Sequence, residues 1–225
     1  MTNKKLVIIG TGETANLAYE YFTHDSDYEV AAFSVSKDYL KEKTFKDLPV
    51  VEFETVEKVY SPDEYYAFVA MAGEKLNRNR TRMYLATKNK GYKMASYVSS
   101  RAFVWHNTQI GENCFILEDN TLQPFTKVGN NVVMWSGNHL GHQSEIKDNC
   151  FITSHCVICG QTVIGENSYL GVNSSVADFV TVAKDNFIAM GAVVNKKTKE
   201  DGLYIGNPAK RQVLTAKEYC GVTEE

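Results

Sequence analysis

Residues 140–164 read LGHQSEIKDNCFITSHCVICGQTVI, and every sixth residue, starting at Leu140, is aliphatic. With one methionine among them, positions in the same phase stay apolar from Val104 to Val194 without an exception. A helix repeats its apolar positions every three or four residues and a strand every two, so neither gives a period of six. A chain wound into a prism with three flat sides gives this six-residue period. The sixteen positions are Val104, Ile110, Ile116, Leu122, Val128, Met134, Leu140, Ile146, Ile152, Ile158, Ile164, Leu170, Val176, Val182, Ile188 and Val194.

A second set of positions, four residues after each of these, carries mostly small side chains such as Cys156, Thr162 and Ser168. Small side chains fit the crowded corners of such a prism. Turn-forming Gly, Asn and Asp recur every 18 residues, so one full coil is 18 residues long and about five coils are stacked. The fold predicted for this region is a hexapeptide parallel β-helix.

The chain before the repeat has the pattern of an α/β domain. An apolar run at residues 5–9 ends in Gly10-Thr-Gly12-Glu13, and apolar residues at helical spacing follow. Strand, glycine turn and helix open a Rossmann-type unit, whose glycines let backbone N–H groups approach a phosphate. Further strands are predicted at 28–33, 66–72 and 92–98, and a helix at 80–90. We therefore divide the chain into a Rossmann-like domain (1–98), a β-helix domain (99–210) and a C-terminal tail (211–225).

The predicted first domain is too small for a complete dinucleotide fold, which needs two mononucleotide-binding halves. The second strand is predicted to end at Phe33, and Ser34-Val-Ser36 follow where an acidic residue would bind a ribose. The sequence therefore favours a nucleotide other than NAD at the glycine turn.

Composition excludes several classes of partner. A formal net charge of −3 over 225 residues, with both signs mixed, offers no extended positive surface to nucleic acid. No apolar run is long enough for membrane insertion, and the Lys-containing start lacks a signal-peptide core. A cytoplasmic protein is expected. Three of the five cysteines, Cys114, Cys150 and Cys156, fall in the small-residue set and are interpreted as packing residues.

His142 and Gly160 each lie two positions after an apolar residue of the repeat, and they are 18 residues apart. They are therefore predicted to stack on adjacent coils, about 4.8 Å apart. A neutral imidazole can take a proton from an attacking amine or hydroxyl near neutral pH. A glycine N–H can hydrogen-bond a carbonyl oxygen as negative charge develops on it. His142 and Gly160 thus combine a base with a backbone N–H donor, and this combination suits acyl transfer.

A small Rossmann-like domain that leads directly into a hexapeptide prism resembles the bacterial sugar acyltransferases of the sialic-acid and bacillosamine type. The Gly206-Asn-Pro-Ala209 sequence resembles the ending common among CoA-using hexapeptide enzymes. The resemblance implies a left-handed β-helix and an acetyl-CoA-dependent N-acetyltransferase for a nucleotide-linked amino sugar, in lipopolysaccharide or capsule biosynthesis. It also implies a homotrimer with CoA bound between subunits, and no metal.

The same resemblance assigns roles to residues. His142 is expected to act as the general base in a direct transfer, and the N–H of Gly160 to face the acyl carbonyl. CoA is expected along Gly160, Ala189 and Gly191, with Lys210 near its phosphates.

The N-terminal glycine loop also has a counterpart in this family, where it holds the phosphates of the nucleotide sugar. The resemblance therefore implies that Gly10, Gly12 and Glu13 bind the nucleotide sugar.

The chain departs from the family pattern beside His142, where related enzymes usually have an acidic residue that orients the ring and this chain has Gln143. Gln143 is itself a possible supporting residue, and Glu145 is a candidate to orient the ring instead. His139 or His155 is a candidate second histidine near the acyl group. The sequence leaves open which of them supports His142.

Other functions stay open. The same base can serve a hydroxyl, which would make the enzyme an O-acetyltransferase on a sugar. A zinc hydratase of the carbonic-anhydrase type would use His106 and His142, two coils apart, but its third histidine is missing because residue 147 is lysine. A non-catalytic scaffold would leave the glycine loop and the GNPA ending without a role. The sequence does not specify the sugar, the nucleotide base or the acyl length.

Overall fold

The computed structural model describes residues 4–223, which form two compact units. The first contains the described residues up to Ala72 together with Arg80–Tyr97, and the second contains Gly73–Asn79 and the chain from Val98 onward. The segment Gly73–Asn79 thus belongs to the second unit, although it lies inside the predicted first domain. Among residues 4–223, no helix is both long and apolar enough to cross a bilayer.

The first unit is built on a six-stranded sheet with β1 near its centre. Its strands are β1 (Lys4–Ile9), β2 (Tyr28–Val35), β3 (Thr44–Phe45), β4 (Leu48–Glu52), β5 (Tyr65–Val69) and β6 (Lys93–Met94). The order across the sheet is β3-β4-β2-β1-β5-β6, and all neighbours are parallel except β3 and β4. The apolar residues 6–9 of β1 are buried, as is usual for a central parallel strand.

The helices follow the α/β pattern predicted for this region. They are α1 (Glu13–His24), α2 (Val56–Val59) and α3 (Arg78–Asn89), with 3₁₀ turns at Lys37–Tyr39 and Phe53–Thr55. Gly12 is the N-cap residue of α1, so the glycine turn connects β1 to the start of this helix.

The predicted end of the second strand is wrong. β2 continues to Val35 because Ser34 still pairs with Ile9 of β1 and with Val51 of β4. The first acidic residue after the strand is therefore Asp38, in the 3₁₀ turn Lys37–Tyr39.

The strand predicted at 92–98 is two strands in different sheets. Met94 of β6 pairs with Ala67 of β5, whereas β7 (Tyr97–Val98) is the first strand of a sheet in the repeat region. The apolar character of the whole run concealed the break between the two strands.

The second unit is a prism of three sheets, which we call faces 1, 2 and 3. Face 1 contains β7, β10 (Phe115–Ile116), β13 (Val133–Met134), β16 (Phe151–Ile152), β19 (Tyr169–Leu170), β22 (Phe187–Ile188), β24 (Leu203–Ile205) and β25 (Lys210–Arg211). Face 2 contains β8 (Phe103–Val104), β11 (Thr121–Leu122), β14 (His139–Leu140), β17 (Val157–Ile158), β20 (Ser175–Val176) and β23 (Val193–Val194). Face 3 contains β9 (Gln109–Ile110), β12 (Lys127–Val128), β15 (Glu145–Ile146), β18 (Val163–Ile164) and β21 (Thr181–Val182).

Strands within each face are parallel, and residues 18 apart pair, as His139 does with Thr121 and Val157. Only β25, which pairs with β24 at the end of face 1, is antiparallel. Three parallel sheets of short, regularly repeated strands are typical of a left-handed β-helix. The predicted fold class, an N-terminal α/β domain followed by a hexapeptide β-helix, is confirmed.

The sixteen apolar positions of the repeat line the inside of the prism. From Ile116 to Val194 each is at most 3% exposed, and only Val104 and Ile110, at the start of the stack, are half-buried. The corner cysteines Cys114, Cys150 and Cys156 are buried too. Burial raises the pKa of Cys150 to about 12, so this thiol stays protonated and packs as an apolar group.

The chain turns from one face to the next through four residues. The turns that follow face 1 form corner 1–2, those that follow face 2 form corner 2–3, and those that follow face 3 form corner 3–1. Corner 2–3 consists of residues 105–108, 123–126, 141–144, 159–162, 177–180 and 195–198. At corner 3–1 the left-handed backbone position is held by Asn or Asp, which adopt it most readily of the non-glycine residues. These residues are Asn113, Asn131, Asn149, Asn167 and Asp185.

Face 1 is covered by other parts of the same unit. Its outward side chains Phe151, Tyr169 and Phe187 form a stacked aromatic column. Tyr219 of α4 (Ala216–Cys220) packs edge-on against Phe187. A Cβ on Gly73 would lie 2.6 Å from the Phe151 ring, so the segment Gly73–Asn79 also lies against this column. The surface of the prism that remains available is therefore on faces 2 and 3 and their corners.

Candidate active site

His142 is the second residue of the turn 141–144 of corner 2–3, which follows β14, and its side chain is exposed. Its backbone N–H donates to Oε1 of Gln123 on the preceding coil at 2.9 Å. Gly160 occupies the equivalent position on the next coil. A Cβ built on Gly160 would lie 2.7 Å from both Cε1 and Nε2 of His142, so the imidazole lies directly against this glycine. The structure thus brings together the two residues that the 18-residue spacing predicted to stack.

The N–H of Gly160 already has an acceptor. It donates to Oδ1 of Asp178, at the same position of the following coil, at 3.0 Å. His142, Gly160 and Asp178 therefore form a column along corner 2–3. The sequence prediction treated this N–H as free for an acyl carbonyl and did not include Asp178. The 36-residue spacing from His142 was the signal that could have found it.

The side chains proposed to orient His142 are engaged elsewhere in the described structure. Oε1 of Gln143 accepts from Nε2 of Gln161 at 3.2 Å. The carboxylate of Glu145 forms an ion pair with Lys147 at 2.7 Å. Within residues 4–223 the His142 ring receives no hydrogen bond from either candidate. The prediction that one of them orients the ring has no contact to support it in a single chain.

The remaining candidate histidines lie at other places on the prism. His139 points outward from β14 on face 2 and is half-buried. His155 lies at corner 1–2, where a Cβ on Gly137 of the preceding coil would lie 2.6 Å from its Nδ1. It therefore repeats the histidine-on-glycine arrangement at a different corner. His106 is on corner 2–3, 36 residues before His142, and its ring centroid is 5.4 Å from that of Trp105.

A metal centre was one of the open alternatives. In the part of the chain that the structure describes, no three His, Cys, Asp or Glu side chains gather as a metal site would require.

The residues predicted to bind CoA divide between two corners. Gly160 is on corner 2–3, whereas Ala189 and Gly191 are in the last turn of corner 1–2. Val193 N–H donates to the carbonyl of Gly206, so the chain after Gly206 runs just beyond that turn, and Lys210 follows it on β25. Ala189, Gly191 and Lys210 thus lie at the C-terminal end of the prism, away from the corner that carries His142. A single chain does not bring the four residues together.

The glycine turn of the first unit has the geometry that its sequence predicted. Gly10 has a φ of +127°, and a Cβ there would lie 2.7 Å from the carbonyl oxygen of Ala70, so only glycine fits. Gly12 is exposed, and a Cβ there would meet nothing within 4 Å. Glu13 is exposed in the first turn of α1. The turn leaves the start of α1 accessible to a ligand.

Two polar atoms missed by the sequence prediction lie on elements next to this turn. Neither Oγ of Ser34, in a residue that is fully buried, nor Oδ1 of Asn16, in the first turns of α1, has a hydrogen-bond partner among the described residues. Buried polar groups are almost always paired, so these two atoms are exceptions to the usual pattern. The sequence prediction ends the second strand at Phe33, so it does not place Ser34 in the sheet.

Part of the chain is similar in sequence to known acyltransferases. No protein-family model matches the chain. It is 29% identical over 121 residues to an acyl-[acyl-carrier-protein]–UDP-N-acetylglucosamine O-acyltransferase of Sinorhizobium fredii, covering 51% of this chain and 44% of that protein. It is 33% identical over 72 residues to a UDP-3-O-acylglucosamine N-acyltransferase of Methylococcus capsulatus, covering 32% of this chain and 20% of that protein. The chain thus spans less than half the length of these curated relatives.

Solved structures cover nearly the whole chain. The perosamine N-acetyltransferase of Caulobacter crescentus, crystallised with CoA and GDP-perosamine, superposes with a TM-score of 0.83 at 22% identity, over 92% of this chain and 97% of that one. The acetyltransferase domain of PglB from Neisseria gonorrhoeae superposes with a TM-score of 0.83 at 22% identity, over 93% of this chain and all of that one. The chain has the fold of the hexapeptide-repeat acyltransferases, with an N-terminal α/β domain joined to the β-helix.

Proposed function

We propose that this protein is an acetyl-CoA-dependent N-acetyltransferase that acts on a nucleotide-linked amino sugar. The observation that carries the proposal is the His142 imidazole seated against Gly160 on the next coil, since this places a base beside a backbone N–H. The likeness in fold to two acetyltransferases, one of them bound to CoA and GDP-perosamine, supports the same reaction. The proposal also includes a role for the acetylated sugar in lipopolysaccharide or capsule biosynthesis.

In the proposed reaction His142 takes a proton from the sugar amine while the nitrogen attacks the thioester carbon. The C–N bond forms, the C–S bond breaks, and the proton held by His142 passes to the departing CoA sulfur. The N–H of Gly160 stabilises the oxygen of the tetrahedral intermediate. Because Asp178 accepts from that N–H in the free protein, the acyl carbonyl has to replace its carboxylate.

A groove shared by two subunits would unite the divided CoA residues. Corner 2–3 of one chain, with Gly160, would face corner 1–2 of its neighbour, with Ala189 and Gly191. Large apolar side chains are exposed at both corners, as a subunit interface requires. They include Trp105, Phe125 and Phe179 at corner 2–3, and Val172 and Met190 at corner 1–2. We propose a homotrimer, and light scattering of the purified protein would measure the mass that this requires.

Cys159 directly precedes Gly160. Attack of its thiol on acetyl-CoA, which would form an acyl-enzyme, is the alternative to direct transfer. Partial burial, and secondly the negative charge of Asp178, raise the pKa of its thiol. The thiol is therefore protonated at neutral pH and a poor nucleophile. We expect Cys159→Ser to keep kcat within about twofold of the wild type. This change is much smaller than the loss of activity that follows removal of a catalytic nucleophile. Steady-state kinetics would measure this, and an inactive variant would replace direct transfer with an acyl-enzyme.

The nucleotide would bind at the glycine turn of the first unit. We expect Gly12→Leu to weaken nucleotide-sugar binding at least about tenfold, the effect of losing one hydrogen bond to a charged group. The free protein should tolerate the leucine because a Cβ there meets no atom within 4 Å. Calorimetric titration of the variant with nucleotide sugar and with acetyl-CoA would test this. A loss of acetyl-CoA affinity alone would reverse the roles proposed for the two units.

Calorimetric titration of the wild type tests the function itself. The protein would be titrated with acetyl-CoA and then with UDP-, dTDP- and GDP-linked amino sugars, and zinc would be measured on the same sample. Binding of acetyl-CoA and one nucleotide sugar, followed by mass spectrometry of an amide product, supports the proposal. An ester product would make the enzyme an O-acetyltransferase. Stoichiometric zinc without CoA binding would support the hydratase alternative.

A further inference from the structure

The last turn of corner 2–3 carries a cluster of lysines that the proposed reaction does not use. Residues 195–199 read NKKTK, and Lys196, Lys197 and Lys199 are all exposed. The turn is fixed in place by Thr198, whose N–H donates to the carbonyl of Thr181 and whose Oγ1 accepts from the N–H of Ala183. The backbone that holds the lysines is therefore part of the prism.

These lysine side chains form no ion pair with any residue of the described range 4–223. Other lysines of the second unit do form them: Lys147 pairs with Glu145, Lys184 with Glu200 and Lys217 with Asp185. Three uncompensated positive charges within four residues create a local site for an anion. The net charge of the whole chain, which is −3, gives no such indication.

The cluster lies on the same column as the candidate active site. Lys196 is 54 residues after His142, three coils further along corner 2–3, at roughly 14 Å for a strand spacing of ~4.8 Å. The turns of this corner before residue 195 contain no lysine or arginine, and the turn 177–180, directly before the lysines, contains Asp178. A negatively charged group that follows this corner from His142 first meets positive charge at Lys196.

This distance matches the co-substrate. The pantetheine arm that joins the thioester sulfur of CoA to its pyrophosphate has the length of about four residues of extended chain, or ~14 Å. We propose, on the basis of the proposed function, that Lys196 and Lys197 bind the phosphates of acetyl-CoA while its thioester lies at His142. The pantetheine arm then passes along the turn 177–180, and this turn carries no positive charge because no phosphate reaches it.

The proposal differs from the sequence prediction, which placed the phosphates near Lys210. Lys210 lies on β25 of face 1, and the neighbouring Arg211 donates from Nη2 to the carbonyl of Asp201 at 3.2 Å. Neither residue lies on the column that carries His142.

The test compares acetyl-CoA with S-acetylpantetheine, which has the same thioester and arm but no phosphate on the nucleotide side. We expect the double variant Lys196→Ala/Lys197→Ala to bind acetyl-CoA roughly 10- to 30-fold more weakly in calorimetry. Its affinity for S-acetylpantetheine should equal that of the wild type. Added salt should weaken the binding of acetyl-CoA to the wild type more than to the variant.

Lys184→Ala is the matched control, since Lys184 lies at the same end of the prism on corner 3–1 and pairs with Glu200. It should leave both affinities unchanged. An equal loss in the control, a loss for both ligands, or a loss only in Lys210→Ala would overturn the assignment of Lys196 and Lys197. If the wild type bound neither ligand, the acyltransferase proposal itself would fail, and this result is distinct from the other three.

Discussion

Replacing His142 with alanine should lower kcat by roughly 10²- to 10⁴-fold, the contribution of a positioned general base. The effect should fall on kcat, because in the proposed reaction the ring contacts the reacting amine and takes no part in binding CoA. The side chain is exposed, and within residues 4–223 its ring has no hydrogen bond that holds the coil, so the variant should fold like the wild type. Steady-state kinetics at saturating acetyl-CoA and nucleotide sugar measure the change.

His24→Ala is the control for this experiment, since His24 is an exposed histidine in the last turn of α1 in the first unit, away from the prism corners. Its kcat should stay close to that of the wild type. If the rate of His142→Ala were unchanged and His155→Ala lost most of its activity, the general base would be His155 at corner 1–2 and not His142.

Replacing Gly160 with alanine should lower kcat by about 10²-fold, because a misplacement of roughly 1 Å at a catalytic group has an effect of this size. The new Cβ would lie 2.7 Å from two atoms of the His142 ring, and the ring has to move away. The atoms it meets belong to an exposed side chain, which can rotate. The thermal midpoint should therefore change little while the activity falls.

Two other glycines separate this effect from a general loss of stability. Gly137→Ala would displace His155 at a φ of +76°, so it should lower stability and leave kcat unchanged. Gly141→Ala would place a Cβ 2.6 Å from the backbone nitrogen of Gly160, so it should separate two coils and unfold the region. Equal losses of activity in all three variants at matched folded fractions would contradict a specific role for Gly160.

The repeat could be predicted from the sequence because each of its positions has one structural meaning. An apolar residue every sixth position must point inward, and the left-handed turn position of corner 3–1 is always Asn or Asp, although corner 2–3 has Phe or Gln at its own left-handed positions. Both signals are local and occur again in every coil, so one irregular position such as Met134 does not obscure them. The stacking of His142 on Gly160 follows from the same arithmetic.

The contacts around the site could not be predicted in this way, because outward side chains carry no periodic signal. Asp178 accepts from Gly160, and Glu145 pairs with Lys147, but nothing in the spacing distinguishes these pairs from solvated charges. The end of β2 was missed for a related reason. Ser34 continues the strand only because β1 and β4 both pair with it, and such pairing is not local in sequence.

The segment Gly73–Asn79 is the clearest case of structure that the sequence conceals. Lys75, Leu76 and Asn77 have consecutive positive φ values of 51°, 49° and 65°, an unusual conformation for residues other than glycine. It is held by tertiary contacts, since Leu76 is buried and Nδ2 of Asn77 donates to the carbonyl of Asn149 at 2.8 Å. Residues in the middle of the predicted first domain thereby belong to the second unit and cover face 1 of its prism.

The pairing of residues 18 apart, seen on every face, also restricts how this protein can change in length. A deletion or insertion of one whole coil keeps every apolar residue inside, whereas a shift by one residue turns the inward set outward. Between Gly160 and the turn 195–198, gene changes of 18 codons would therefore move the lysines toward or away from His142 in steps of ~4.8 Å. One coil is thus the unit in which the distance from His142 to the lysines changes, and the proposed binding of acetyl-CoA would limit the number of coils between them.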